Sequence, residues 1–339
     1  MKSVKVEDSI GMVVAHDLTK IVANEFKGAR FKKGHIIELK DIEEMKSMGK
    51  NHVYVLELDE ENLHEDDAVN EIVQAIKGNN IFFEGPKEGK INLLATTSGL
   101  LKVNLEMLYD INSIKDIVVS TLHNNTVVKS GDIVAATKVT PLVIEKKYIN
   151  EVKELLENEI GIIKIKPFVH KNVGIIITGT EVYEGIITDK FAPLIKSKVI
   201  SYGASVNDVI FVPDDLDKIV HAIEEFKKSG FDLIICSGGM SVDADDVTPI
   251  AIEKASSQVI TYGAPVIPGA MFMLAYSNTI PIIGIPACGM FFNITIFDVL
   301  LPRLMANDKI SRREISEMSH GGLCLRCNVC NYPVCPFCK

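Results

Sequence analysis

Two short stretches limit what this chain can become: VGIIITGTE at 173–181 and FDLIICSGGMS at 231–241. Each runs a few mostly branched apolar residues into a turn of glycine and hydroxyl side chains. Such a run is too short for a globular helix and reads as a buried strand. Gly179 relieves the backbone at the end of the first strand, where a ligand can come close. Two strands closed in this way predict one parallel sheet with its loops gathered at the carboxyl edge. Open α/β sheets place ligands there.

The pattern from 173 onward alternates strand and helix, which implies right-handed βαβ crossovers. A strand at 173–177 is followed by a helix over about 189–202, stopped by Gly203. A strand at 205–212 leads to Asp214-Asp215, which open a helix whose Leu216, Ile219, Val220, Ile223 and Phe226 share a face. A third strand covers 232–236, and Asp245-Asp246 open another short helix. Residues 262–276 read as two extended segments joined at Pro268-Gly269. A last strand at 281–285 precedes a closing helix over 289–304.

Before that region the pattern is mixed. Val69, Ile72, Val73 and Ile76 fall at helical spacing and are closed by Gly78. Tyr148, Ile149, Val152, Leu155 and Leu156 stripe a second helix. A short helix is expected at 41–48, then a strand in NHVYVLEL, and TVVKSGDIVAAT at 126–137 reads as strand, turn and strand. His16, Asp17 and His35 read as hydrogen-bonded polar residues near turns. The expected division is a mixed α+β, β-rich amino-terminal region over 1–168, an α/β domain over 169–308 and a cysteine-rich tail over 309–339.

The net charge of −9 argues against a general nucleic-acid partner, whose binding rests on cationic contacts to phosphates. No run reaches the ~18 apolar residues of a membrane span. The start, MKSVKVEDSIG, has no apolar core of a secretory signal, so a cytoplasmic location is expected.

The carboxyl-edge loops supply Glu181, Asp214, Asp215, Asp243, Asp245 and Asp246, with Thr178, Thr180, Ser237 and Ser241 and glycines 179, 238, 239 and 284. Glycine turns before helices offer backbone N–H groups to an anion. Carboxylates beside them make sense when a hard cation sits between, since Mg2+ takes one or two carboxylates plus substrate phosphates. The plainer role for Asp214 and Asp245 is helix capping.

TGTE at 178–181, VPDD at 212–215 and SGGMSVDADDVT at 237–248 resemble, in order and spacing, the molybdopterin-binding domain. Molybdenum-inserting transferases, molybdopterin adenylyltransferases and the competence-damage proteins share it. The resemblance covers roughly 172–305 and implies a three-layer α/β/α fold. It implies molybdopterin or its adenylate as ligand, molybdate as co-substrate and Mg2+ as cofactor. It places Glu181, Asp215 and Asp246 in catalytic positions. Thr178, Gly179, Thr180, Asp214, Ser237, Gly238, Gly239, Ser241, Pro268, Gly269 and Pro286 fall in cofactor-binding positions. The family's KPGKP loop is IPGAM here, at 267–271, so both lysines are lost. Its LPGNP turn is IPACG, at 285–289. Losing two cations beside a polyanion weakens charge-assisted binding. The resemblance thus implies molybdenum cofactor biosynthesis, as a molybdopterin molybdenumtransferase if it turns over. A non-catalytic binding or sensor protein is the second reading, and a nucleotide-acting protein of the competence-damage type the third. A homo-oligomer and a molybdenum-enzyme partner are compatible with each.

The tail HGGLCLRCNVCNYPVCPFCK carries Cys324, Cys327, Cys330, Cys335 and Cys338. Paired C-x2-C units fit zinc, and the C-x2-C-x2-C run with Cys335-Pro336 fits iron–sulfur ligation, with one extra residue in the last gap. A metal site is expected there, with 320–339 ordering only when the metal binds. The sheet and its loops are expected to be complete by about residue 305. Cys236 and Cys288 read as small core residues.

Overall fold

The computed structural model describes residues 2–22, 26–55 and 61–339. The chain divides into two compact units, 1–165 and 166–339.

In the first unit, the helix Glu65–Ile76 forms because its apolar residues recur on one face and its first turn is acidic, which suits the positive end of the helix. The side chain of His64 accepts the Asp66 N–H at 3.1 Å and caps it. Ala68, Val69, Ile72, Val73 and Ile76 are buried in one core with Ile149 and Val152 of the helix Lys146–Leu155. An antiparallel sheet supplies the rest, in the order Ile81–Lys87, Lys90–Ala95, Ile133–Val139, Ile117–Thr121. The expected strand, turn and strand at 126–137 are present as Val127–Val128, a turn at 130–131 and Ile133–Val139, but the two strands join different sheets. Val127–Val128 pairs with Gly99–Val103, whereas Ile133–Val139 pairs with Lys90–Ala95 and Ile117–Thr121. The helix Leu105–Ser113, capped by Asn104, has no counterpart in the sequence reading. A smaller core gathers Val6, Val14, Ile37, Met45 and Val53. His35 pairs with Asp41 at 2.6 Å and Asp17 accepts the Lys33 N–H at 2.8 Å, so these polar residues serve turns. The expected strand in NHVYVLEL is His52–Val55; positions 56–58 lie outside the described residues.

In the second unit, six strands form one sheet: β1 (Asn172–Thr178), β2 (Ser205–Val212), β3 (Leu233–Ser237), β4 (Gln258–Tyr262), β5 (Met273–Ser277) and β6 (Ile280–Ile285). Their order is β2-β1-β3-β6-β5-β4. The first four in that order are parallel; β5 is antiparallel to β6, and β4 to β5. The helices are α1 (Thr180–Tyr183), α2 (Phe191–Ile200), α3 (Leu216–Lys228), α4 (Thr248–Ala255), α5 (Ile296–Met305) and α6 (Arg312–Glu317).

Alternation within the apolar runs assigns the layers. Val173, Ile175 and Ile177 pack with α2 and α5, and Ile176 packs with α3 and α4. The result is a three-layer α/β/α domain with a mostly parallel sheet, as the sequence predicts. Gly174 has a packing reason: a Cβ there would stand 2.5 Å from the Phe226 ring.

Three local expectations change. The closing helix starts at Ile296, not 289, because Thr295 and Asp298 form a capping box; residues 287–290 make only a 3-10 turn. Asp245 and Asp246 precede α4 in a turn of their own, and α4 starts at Thr248 with a proline in its first positions. Glu181 lies within the short helical turn α1.

The tail is strapped to the sheet's loops. The Ile267 N–H donates to Gly322 O at 2.8 Å, and the Cys324 N–H donates to Ile267 O at 2.9 Å. Phe337 is buried in the core shared with α2 and α5, and Tyr332, Cys324, Cys335 and Cys338 pack against it. The carboxyl-edge loops therefore gain their last backbone partners beyond residue 305.

Candidate functional site

The carboxyl ends of β1, β2 and β3 bring three loops onto Gly239. A Cβ at this glycine would stand 2.8 Å from Thr248 Oγ1, 3.3 Å from Thr178 Oγ1 and 3.4 Å from Asp214 Oδ1. At Gly238 it would stand 2.1 Å from Thr178 O. Gly238 and Gly239 have positive φ, 104° and 53°, so any side chain would meet strain as well as collision. Thr178 Oγ1 and Thr248 Oγ1 share a buried hydrogen bond of 3.0 Å. Ser237 Oγ is buried and without a hydrogen-bond partner.

Asp214 ties the first loop to the second. Its Oδ2 accepts the Thr180 N–H at 2.9 Å and the Thr180 hydroxyl at 3.2 Å. The Asp214 N–H donates back to Thr180 Oγ1 at 3.3 Å. Asp215, the other half of the pair, is spent elsewhere. Its Oδ1 accepts the N–H groups of Asp217 and Lys218 at 3.0 and 3.1 Å, which caps α3. Of the pair, Asp214 faces the converging loops, whereas Asp215, expected in a catalytic position, opens a helix as its N-cap.

Glu181 is exposed on α1, and its Oε2 lies 3.9 Å from where a Gly179 Cβ would be. Asp246 is half-buried; its Oδ2 accepts the Asp243 N–H at 3.1 Å and closes the turn before α4. Ser241 is exposed, and its carbonyl, with that of Met240, accepts the Tyr262 hydroxyl at 3.1 Å. Pro268 and Gly269 are buried; a Cβ on Gly269 would stand 2.6 Å from Ile296 Cγ2, so this loop packs on the start of α5. Pro286 is buried at the end of β6. Thr248, Tyr262 and Lys218, whose amine lies 6.0 Å above the Tyr183 ring, were not singled out by sequence reading. Thr248 sits in the DDVT segment, and its spacing from SGG was the available signal.

What this edge offers is a set of left-handed glycine turns, hydroxyls from Thr178, Thr180 and Thr248, and carboxylates free of helix capping, among them Glu181 and Asp246. Consecutive backbone N–H groups in such turns make concavities for anions. Neither cysteine of the domain body is an activated nucleophile: burial pushes the Cys236 thiol up to about 12 and raises that of Cys288. Among the described residues, no group of three His, Cys, Asp or Glu side chains is placed to hold a metal ion. The tail thiols of Cys324, Cys327, Cys330 and Cys335 instead line a cavity of about 220 Å³ beside residues 291–294. Cys338 is half-buried, and burial foremost, then Cys335 and Cys324, pushes its thiol up to about 12. No helix among the described residues is long and apolar enough to cross a membrane.

Residues 174–306 match the family described as a probable molybdopterin binding domain, and residues 3–57 match a domain of unknown function (DUF8806). The chain is 24% identical over 177 residues to a molybdopterin molybdenumtransferase of Synechococcus elongatus, covering 49% of this chain and 44% of that protein. It is 34% identical over 80 residues to a CinA-like protein of Mycobacterium tuberculosis, covering 24% of this chain and 19% of that protein. The chain thus spans less than half the length of these curated relatives. The crystal structure of the molybdopterin biosynthesis enzyme MoaB from Thermus thermophilus aligns at 17% identity and a TM-score of 0.37, over 42% of this chain and 98% of that one. The three converging loops thus lie within residues 174–306, the part of the chain that is similar to the molybdopterin-binding domain family.

Proposed function

We propose that the 174–306 domain binds molybdopterin or its adenylate, with the phosphate held at the 178–181 and 237–241 turns. The observation that carries this reading is the convergence on Gly239, where Thr178, Thr248 and Asp214 leave no room for a side chain. A phosphate there accepts backbone N–H groups and hydroxyls without needing the lysines this sequence lacks.

The residues fit Mg2+ as a companion of the phosphate. Mg2+ is bound through one or two carboxylates plus substrate oxygens and seldom by an all-protein cage. Glu181 and Asp246 would supply those carboxylates. Asp214 acts through Thr180, orienting its N–H and hydroxyl. When bound, the ion supplies charge neutralisation between the phosphate and molybdate oxygens. Molybdate insertion in a Mg2+-dependent step is the activity this arrangement supports, and the domain would then serve as a molybdenumtransferase.

Equilibrium titration of the full chain with molybdopterin tests the reading. The Gly239→Val variant is expected to lose at least about tenfold in affinity, because the new side chain meets Thr248 and Thr178. Should that variant not fold, Glu181→Ala compared with and without Mg2+ tests the same pocket from its exposed side. Equal affinity in all three proteins sinks the assignment. The 34% identity to a CinA-like protein favours one competing reading, a nucleotide ligand in the same turns; AMP binding that excludes molybdopterin would establish it.

A further inference from the structure

The tail is held more sparsely than its order requires. Residues 324–338 contain no helix and no strand. Leu325, Val329 and Val334 are 71%, 75% and 86% exposed, so these apolar side chains contribute almost nothing to burial. Phe337 is buried in the core, with Tyr332, Cys324, Cys335 and Cys338 partly buried against it. Fixing a backbone of this length costs more entropy than these few anchors offset, so another source of order is needed.

The thiols supply it. Cys324, Cys327, Cys330 and Cys335 ring one cavity. Cys324 Sγ already accepts the Arg326 N–H at 3.5 Å. Arg326 delivers that donor from a left-handed φ of 54°, a conformation rare for a residue with a side chain. Strain that turns a donor onto a ligand atom is a mark of a functional loop.

The spacing of the thiols selects the kind of centre. C-x2-C-x2-C is a run of iron–sulfur ligands, and the following Cys-Pro cysteine serves the other cluster in two-cluster ferredoxins. Here Cys335 lines the same cavity as Cys324, Cys327 and Cys330, so all four are gathered on one site.

We propose that Cys324, Cys327, Cys330 and Cys335 ligate an iron–sulfur cluster in this cavity, with Cys338 outside the ligand set. Transfer of a preformed cluster from a thiolate donor forms four bonds from iron to cysteine sulfur. The four thiol protons pass to the departing donor thiolates, and no electron moves. Because the Cys324 N–H donates to Ile267 O, the cluster stands beside the 267–269 loop of the carboxyl edge. The proposal does not depend on what that edge binds.

The test is elemental analysis of the full chain purified without oxygen, together with single variants. Iron and acid-labile sulfide are expected in equal amounts, about two or about four per chain. Cys327→Ser and Cys330→Ser are each expected to lose the iron, while Cys338→Ser keeps it. One zinc per chain without sulfide overturns the proposal, as does a chain free of metal. Iron retained by both Cys327→Ser and Cys330→Ser overturns the ligand set. If a variant fails to fold, the metal and sulfide content of the unaltered chain still decides.

Discussion

Thr180 and Asp214 hold each other in both directions: the backbone and hydroxyl of Thr180 donate to the carboxylate, and the Asp214 N–H returns to the hydroxyl. Two loops from neighbouring parallel strands are locked by this pair before any ligand arrives. Asp214→Ala removes the acceptor of two donors, one of them a backbone N–H. Hydrogen bonds to a charged group are worth about 1.5–3 kcal/mol. A loss of about 2 kcal/mol in urea unfolding, together with weaker molybdopterin binding, is expected from this variant.

Asp215→Ala separates the two aspartates. Removing an N-cap costs about 1 kcal/mol. Stability should fall by that amount, with molybdopterin affinity unchanged. A variant that bound tenfold more weakly at equal stability would return Asp215 to the ligand site.

Glu181→Ala should do the reverse. The residue is exposed, and surface substitutions away from special features stay within about 0.5 kcal/mol. Its unfolding midpoint should match the parent, while the Mg2+-dependent gain in ligand affinity disappears. Unfolding of the domain on this change would mark Glu181 as structural.

Gly174→Ala probes the packing of β1. The added methyl would meet the Phe226 ring at 2.5 Å. Overpacking a tight core costs about 1–3 kcal/mol. Gly174→Ala combined with Phe226→Leu should recover part of that loss, and additive losses in the double mutant would show that the two sites do not touch.

The junction between α5 and α6 gives a pH signature. The Arg303 guanidinium is buried and pairs with Asp308 at 2.7 Å and Glu314 at 2.5 Å. Burial pushes the Glu314 carboxyl up, but the Ser311 N–H and Arg303 outweigh it and hold it below its ordinary 4.5. A carboxyl depressed in the folded state stabilises above its unfolded value, and that stability is lost as pH falls. The stability difference between the parent and Glu314→Gln should therefore be constant near neutrality and shrink below about pH 4.5. A difference independent of acid would remove the ion pair from the account.

The sheet was legible because its central strands are unbroken apolar runs, buried on both faces, which local pattern reveals. Which helices cover which face was not legible, because Val173, Ile175 and Ile176 are all apolar and only the packing assigns them to opposite layers. The two adjacent aspartates were not separable in sequence, since capping and site roles differ only by which backbone each one meets. The start of α5 was obscured because Phe291, Phe292 and Ile294 continue an apolar pattern that the Thr295 capping box overrides. The docking of residues 322–324 on Ile267 was invisible, because it is a backbone pairing between distant segments and leaves no side-chain period.

The antiparallel pair at one side of the sheet has a consequence for how this domain can diversify. A loop between parallel strands is bound to a helical crossover, so altering it moves a helix. The loop from 263 to 272 joins β4 to its direct neighbour β5, and the pairings of Gly263 with Phe272 and Ala264 with Ala270 carry the ladder into it. Its tip is free of any crossover. The tip is held in another way: Val266, Pro268 and Gly269 are buried and Ile267 is bonded to Gly322 and Cys324, so an insertion there would release the tail, and this rim of the pocket can change only together with the tail that clasps it.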